Sequence, residues 1–520
     1  MSPPDVLSRV LQHTVQSPDH PALTDLDRQL TYRQLVEAME RTANGMVSAG
    51  VVPGDRIALH LPNSVEFVVA ALAALRLGAI FVPVAVSDPD ARLAGILADC
   101  APVLVVTSDD NDGQTESDRP YGPATWAPFP SLGTTGTDHR RLPPEPTPGR
   151  PVYAIYTSGT TGSPKGVLVG DRAFAAAVDA TVDALGIDRS TRTLCVSPFH
   201  FDGSFATLFP TLAAGGTVVI RSRDSLLVPR TFFKAVLSEG ITYTGFSPSY
   251  LKLLLASPQV EKLNGSTLSI VALGGEATTL ATIRTIWDTV PQLRIFNRYG
   301  PTETTIAVSH IELTPELLSS GTIPIGLPHT GVTFHLVDES GNEVDDVDAV
   351  GELYIGGDQL MDGYWGAPEL TGTVIRTDLV PGTTVYRTGD LVYRNQRGHY
   401  VYVDRSDRVI KRFGVRISLL ELADALHSLD AVSAAACVVF DDDGEVGIAA
   451  FVTTDGTCSA AELRASVRGQ LPDTMLPDRI VLVDELPLTS ASKLDERLLL
   501  AEAGLSEVPS AATSTTRRPA

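Results

Sequence analysis

Between residues 35 and 107 the chain alternates between two hydrophobic rhythms. Apolar positions three and four apart predict helices over 35–49 and 66–77, and short unbroken apolar runs predict strands over 56–61, 80–84 and 103–106. Helix and strand in turn predict a layered α/β arrangement. The apolar stretch over 67–84 carries Arg76, Gly78 and Pro83, so it reads as a buried helix followed by a strand, not a membrane span. Residues 107–150 are rich in Asp, Gly, Thr and Pro and have no apolar period, which predicts a long surface connection.

The α/β rhythm resumes at Val152, with strands expected over 217–220 and 268–273 and helices over 229–238 and 249–256. From Gly331 the texture becomes β-rich, with runs over 332–337, 351–355 and 391–393 separated by Gly and Asp turns. After Asp407 a smaller α+β pattern follows: a helix over 419–429, strands over 434–440 and 447–452, and a helix over 459–470. The Ser/Thr/Ala-rich end predicts disorder. The expected organisation is an N-terminal core over 1–406, a mobile C-terminal domain over 407–505 and a tail over 506–520, without internal repeats.

At 520 residues the chain is too long for one core. Its formal net charge of −22 argues against nucleic-acid and membrane partners, because both need basic surface. An anionic substrate must then be met by local cations. The four cysteines, Cys100, Cys195, Cys437 and Cys458, form no CxxC pair, and the first residues lack a basic stretch leading into an apolar run. Reduced thiols in a cytoplasmic protein are the expectation.

The strongest local chemistry is YTSGTTGSPKGV at 156–167. Gly159 and Gly162 allow close backbone approach to a ligand. Thr157, Ser158, Thr160 and Thr161 offer hydroxyls, and Lys165 offers charge, which together compose a phosphate cradle. It is not the GxxxxGK[ST] loop, since the lysine here lies between Pro164 and Gly166.

Further motifs follow in order: FDGSF at 201–205, LGGEA at 273–277, NRYGPTETT at 297–305, GELYIGG at 351–357, YRTGD at 386–390, DRSDRVIKRFG at 404–414 and PLTSASKLDERLL at 487–499. With the cradle they resemble the signatures of the adenylate-forming superfamily, which includes acyl-CoA synthetases, luciferases and nonribosomal-peptide-synthetase adenylation domains. The resemblance spans about residues 20–500. It implies an α/β fold: a large N-terminal domain of layered α/β subdomains plus a β-rich subdomain, and a small mobile α+β C-terminal domain. It also implies ATP and Mg2+.

By this resemblance Tyr299 stacks on adenine, with Gly275, Glu276 and Ala277 along the base and Asn297 and Gly300 nearby. Thr302 contacts the α-phosphate and Glu303 holds Mg2+, a hard cation suited to a carboxylate. Asp390 takes the ribose hydroxyls, supported by Arg405, with Tyr402 close to the nucleotide. Lys493 is the main catalytic residue. It offsets charge while a substrate carboxylate displaces pyrophosphate. The residue before it is Ser492 where the family usually has glycine. Asp407 falls at the family's hinge, about which the small domain turns so that a thiol can enter; Lys411 and Gly414 would then face the site.

Asp202 sits where amino-acid-activating members bind the substrate ammonium. A buried carboxylate without a cation carries a desolvation penalty, so a cation is expected opposite it. Gly203, Ala206, Gly245, Ala272, Gly274, Arg298, Ile306 and Ala307 would line the rest of the substrate pocket. Arg298 stands out among small residues. Either it binds a second substrate carboxylate, as in an aspartate-like or β-amino diacid, or it turns away to a neighbouring acid and leaves room for a larger amino acid. The sequence is also similar to stand-alone enzymes that load β-amino acids for macrolactam polyketides. No carrier-domain serine motif follows Lys493, so a carrier protein would act in trans. An acyl-CoA or aryl-CoA synthetase and a noncatalytic nucleotide-binding homologue are the competing readings.

Overall fold

The computed structural model describes residues 5–108, 124–134, 149–157, 164–338, 340–380, 382–405, 409–412, 415–442, 445–487 and 494–508. The predicted boundary at Asp407 and the tail beyond 508 lie outside these residues.

Two large, mostly parallel sheets form the body. In the first, Ile270–Gly274 and Tyr243–Phe246 lie side by side near the centre, flanked by Arg294–Tyr299 and Arg192–Cys195. Ser309–Leu313 closes one edge antiparallel to Arg294–Tyr299. In the second, Ile80–Pro83 and Arg56–His60 are central, and Pro151–Thr157 forms an antiparallel hairpin with Lys165–Gly170. Parallel strands covered on both faces lose the polar alternation of half-exposed strands, which is why these runs read as unbroken apolar stretches.

The helix Val65–Leu77 is buried at every residue except Glu66 and Arg76. A helix apolar all round belongs in an interior, and this one joins the largest core cluster. Ser64 caps its start by accepting from the Phe67 amide at 3.2 Å, and Gly78, at φ 71°, ends it in the left-handed conformation that glycine tolerates. The expected helices and strands between 35 and 106 and between 217 and 273 are present within a few residues.

The long surface connection expected over 107–150 contains regular structure within its described residues. Thr125–Pro128 extends the second sheet, parallel to Leu104–Thr107, and Phe129–Thr134 is a short helix. An edge strand needs no apolar period, and its half-exposed burial, with both end residues exposed, hides it from a periodicity reading. Leu132 is buried there, packed so closely on Gly45 that a Cβ at Gly45 would stand 2.0 Å from the Leu132 carbonyl oxygen.

A five-stranded antiparallel sheet follows, containing Val332–Val337, Val350–Gly357, Ile375–Val380, Thr383–Arg394 and Tyr400–Arg405. The last region has its own core, with Leu419–His427 and Ala460–Arg468 packed beside the sheet of Val432–Asp442, Glu445–Thr454 and Arg479–Leu482. Phe201 packs against that core, and Arg92 Nη1 donates to Glu421 Oε1 at 2.8 Å. Cys100, Cys195 and Cys437 are buried free thiols, each pushed up to about 12 by burial. No helix among the described residues is long and apolar enough to cross a membrane.

The Tyr32 ring is fully buried, with its hydroxyl 3.0 Å from the Leu212 carbonyl oxygen and 2.9 Å from that of Gly216. Tyr32→Phe leaves these carbonyls without that donor. It is expected to cost about 1–3 kcal/mol, read as an earlier urea midpoint for the N-terminal core; an unchanged midpoint contradicts this.

Candidate functional site

The carboxyl ends of the first sheet's parallel strands meet at one cavity. Open α/β sheets bind ligands at this end. Asp202, Gly203, Gly274, Arg298 and Ile306 line the cavity, as do Gly275 and Gly300 from the nucleotide set. Ala206, Gly245, Ala272 and Ala307 do not; they are buried behind its wall. Gly245 nevertheless acts on the cavity, since a Cβ there would lie 3.3 Å from Arg298 Nη1.

Asp202 begins a 3-10 turn, Asp202–Ser204, that leads into the helix Phe205–Ala213. The residue is half-buried, but its Oδ2 is fully enclosed and has no hydrogen-bond partner among the described residues. Its carboxyl is pushed up to about 6, chiefly by burial and also by the Glu303 charge; the Thr302 hydroxyl, Arg298 and the Gly203 amide pull the other way.

Arg298 is 8% exposed. Its Nη2 donates to the Gly203 carbonyl at 3.3 Å, while the enclosed Nη1 has no partner. No ion pair to Arg298 occurs among the described residues, and burial lowers its pKa from the usual arginine range. The turned-away arrangement, paired to a neighbouring acid, is therefore not the one adopted. Space for the side chain comes from glycine: a Cβ on Gly274 would stand 2.4 Å from Arg298 Cγ.

Thr302, Glu303 and Thr304 form a second 3-10 turn, which Gly300 and Pro301 join to the strand Arg294–Tyr299. Glu303 is 1% exposed, and its Oε1 accepts from the Tyr364 hydroxyl at 2.9 Å. Lys165 Nζ lies 5.4 Å from the centre of the Tyr364 ring. Thr157 pairs with Lys165 across their hairpin, so the cradle connects these two strand ends; Ser158, Gly159, Thr160, Thr161 and Gly162 lie outside the described residues. No cluster of three or more His, Cys, Asp or Glu suited to a metal occurs among the described residues. A single buried carboxylate is nonetheless compatible with Mg2+, which is commonly held by one or two carboxylates plus substrate phosphates.

Tyr299 and Asp390 hydrogen-bond through the phenol and Oδ2, both deeply buried. The Asp390 amide donates to Thr388 Oγ1 at 2.9 Å, and its strand register sets it opposite Arg405. Tyr402 packs with Tyr299 around the same small core. Glu276 Oε2 accepts from the Ser249 amide at 3.0 Å and its hydroxyl at 2.5 Å, Ala277 is exposed, and Asn297 Nδ2 donates to the Pro324 carbonyl at 2.8 Å. Asp407, Gly414 and Lys493 lie outside the described residues, as do the Arg405 and Lys411 side chains.

Sequence reasoning missed Arg223, Phe246 and Tyr250 in the cavity wall. It also missed Tyr364, although YW at 364–365 closes the stretch that begins with GELYIGG.

Residues 11–365 match the AMP-binding enzyme family, and residues 421–493 match the AMP-binding enzyme C-terminal domain. The chain belongs to the AMP-binding enzyme family. Among similar proteins of this family, the dimodular nonribosomal peptide synthase of Bacillus subtilis (strain 168) is 33% identical over 502 residues, covering 93% of this chain and 21% of that protein. The chain thus spans about a fifth of that relative's length. An artificially fused adenylation–PCP di-domain NRPS, NpsA-ThdA from Klebsiella oxytoca, superimposes with a TM-score of 0.82 at 24% identity, covering 97% of this chain and 98% of that one. The o-succinylbenzoate CoA synthetase MenE from Bacillus subtilis does so with a TM-score of 0.84 at 22% identity, covering 94% and 98%. These two likenesses establish the fold, a mixed α/β architecture with a large N-terminal and a small C-terminal domain.

For this AMP-binding enzyme, Gly274→Ala should cost about 1–3 kcal/mol through overpacking against Arg298. In an Arg298→Ala background most of that cost should vanish, because the clashing atoms are gone. Equal costs in the two backgrounds, measured by denaturant unfolding, would refute the packing account.

Proposed function

We propose that this AMP-binding enzyme activates an amino acid as its aminoacyl adenylate and passes it to the phosphopantetheine thiol of a separate carrier protein. One observation carries the reading: the cavity holds an enclosed anionic acceptor, Asp202 Oδ2, and an enclosed cationic donor, Arg298 Nη1, each without a partner among the described residues. Unsatisfied buried polar atoms are costly. An ammonium opposite Asp202 and a carboxylate opposite Arg298 satisfy both. The reacting carboxylate must reach toward Thr302 and Glu303, so a carboxylate on Arg298 is a second one. That favours an acidic amino acid, α or β, over a plain acid.

In the proposed reaction a carboxylate oxygen attacks the α-phosphorus of ATP, the bond to the bridging oxygen breaks, and pyrophosphate leaves. The nucleophile is already ionised and needs no base. Lys493 and Thr302 meet the charge that builds on the phosphoryl oxygens. Glu303, oriented by the Tyr364 hydroxyl, would hold Mg2+, which supplies Lewis-acid neutralisation of the phosphates. Asp390, Tyr299, Tyr402 and Arg405 would hold the nucleoside, and Asp407 would be the hinge on which the C-terminal domain turns. The nonribosomal peptide synthase relative supports a carrier protein as acceptor. The MenE likeness makes coenzyme A the alternative acceptor.

ATP–pyrophosphate exchange across α-amino acids, β-amino acids and plain acids tests this. Exchange is expected with amine-bearing acids, best with diacids; none with any amine-bearing acid would sink the reading. Arg298→Ala should abolish exchange with diacids and spare monoacids, and unchanged aspartate kinetics would remove the second carboxylate. Product analysis with holo-carrier protein against coenzyme A decides the acceptor.

The pH dependence follows from Asp202, which is ionised above about 6 and neutral below. Its hold on an ammonium is therefore present at neutral pH and lost on acidification. The kcat/KM for the amino acid should fall about tenfold per unit on the acid side of that value. A profile flat down to pH 5 would contradict this.

A further inference from the structure

The backbone directly after Thr302 and Glu303 is unusual. Thr305 and Ile306 both lie in the left-handed region, at φ 58° and 73°, although neither is glycine and Ile306 is β-branched. Ile306 lines the substrate cavity. The turn also folds back on the chain: a Cβ at Gly300 would stand 2.5 Å from Ala307 Cα. Such conformations persist only where their surroundings over-determine them.

Gln359 supplies those surroundings from the strand end of the β-rich sheet. It is 2% exposed. Its Nε2 donates to the Ala307 carbonyl at 2.6 Å and the Thr305 carbonyl at 3.2 Å, and its own carbonyl accepts from Thr305 Oγ1 at 2.8 Å. Two residues on, the Met361 amide donates to the Glu303 carbonyl at 2.9 Å.

The amide of Gln359 is itself oriented. With Nε2 committed to carbonyls, Oε1 must accept, and His329 Nδ1 lies 3.0 Å from it. His329 then carries its proton on Nδ1, so its Nε2 must accept from His310 Nδ1 at 2.8 Å. Burial keeps both imidazoles on the neutral side, His310 most strongly. His310 is the cross-strand partner of Arg298. A single hydrogen-bonded row thus runs from His310, which faces Arg298 across the strands, through His329 and Gln359 to the turn that carries Ile306.

We propose that Gln359, oriented by the His329–His310 pair, is the positioning residue that holds the left-handed Thr305–Ile306 turn and thereby sets where Ile306 bounds the substrate cavity. Gln359 does not line that cavity. Its effect on specificity is exerted through the turn. The inference rests on the reading of this cavity as the amino acid site.

The test compares Gln359→Met, which keeps length and volume but removes the donors, with His329→Leu and His329→Asn in the full chain. Asparagine can return a donor near the place of Nδ1; leucine cannot. The readouts are exchange kinetics over amino acids of graded side-chain size, ATP KM, and the thermal midpoint. Gln359→Met should raise the amino acid KM about tenfold or more and reorder the preference among side chains, with ATP KM within about twofold. His329→Leu should move the same parameters in the same direction, and His329→Asn should restore them. A loss of thermal stability with unchanged amino acid KM and unchanged preference would overturn the proposal, in Gln359→Met or, should that variant not fold, in His329→Leu. The wild-type panel keeps the two readings apart: a wild type that exchanges with no amine-bearing acid refutes the amino acid site itself, whereas a working wild type with insensitive variants refutes only the role of Gln359.

Discussion

A guanidinium enclosed at 8% exposure, with no carboxylate against it among the described residues, constrains everything around Arg298. Burying an unpaired charge is among the costliest things a fold can do. The wall accommodates it by giving up side chains: Gly245 and Gly274 each face it where a Cβ would crowd it, and Gly203 lends only a carbonyl. Asp202 is near enough for each to shift the other's ionisation, yet Oδ2 stays unpartnered. The two charges are therefore held apart in one cavity, not collapsed into a salt bridge. On the proposed reading, that separation would give a zwitterionic substrate two places to bind.

Holding the charges apart requires a rigid frame, and the fold supplies it from opposite sides. Arg298 lies within the strand Arg294–Tyr299, locked between Ile270–Gly274 and Ser309–Leu313. Asp202 belongs to a turn fixed at one end by Phe205–Ala213, whose every residue is buried. Phe205 and Phe209 pack with Phe81, Tyr153 and Phe174, so the helix also ties the cavity to the second sheet and its core.

Most of the architecture was legible in the sequence because parallel strands and buried helices write their burial locally. The helix Val65–Leu77 and the strand Thr217–Ile220 are continuous apolar runs. The motifs likewise placed Asp202 near Arg298, Thr302 and Glu303, although it belongs to a different motif far earlier in the chain. What stayed hidden depends on partners distant in sequence. Thr125–Pro128 exists because Leu104–Thr107 offers an edge. Ala206 and Ala272 looked like cavity lining by their motif positions, but Ala272 sits in a strand beneath the wall and Ala206 faces the phenylalanine core. Gln359, His329 and His310 carry no motif; their relation is a hydrogen-bonded row across two sheets that no local pattern encodes.

The overall charge of −22 bears on the same site. The long-range field of such a protein repels anions, and salt screens it within about 8–10 Å at moderate ionic strength. Attraction for a carboxylate or a triphosphate must then come from cations at short range in a water-poor setting, where the effective dielectric is lower. Arg298 and Arg223 line the cavity, and Lys165 stands over Tyr364 beside Glu303. Arg223 is also held against an aromatic face, 5.5 Å from the Tyr250 ring centre, instead of against an acid. An acidic protein that keeps Arg298 off its described carboxylates leaves that guanidinium available to an anionic ligand, and the glycine-lined wall around Arg298 is the structural form which that restraint takes.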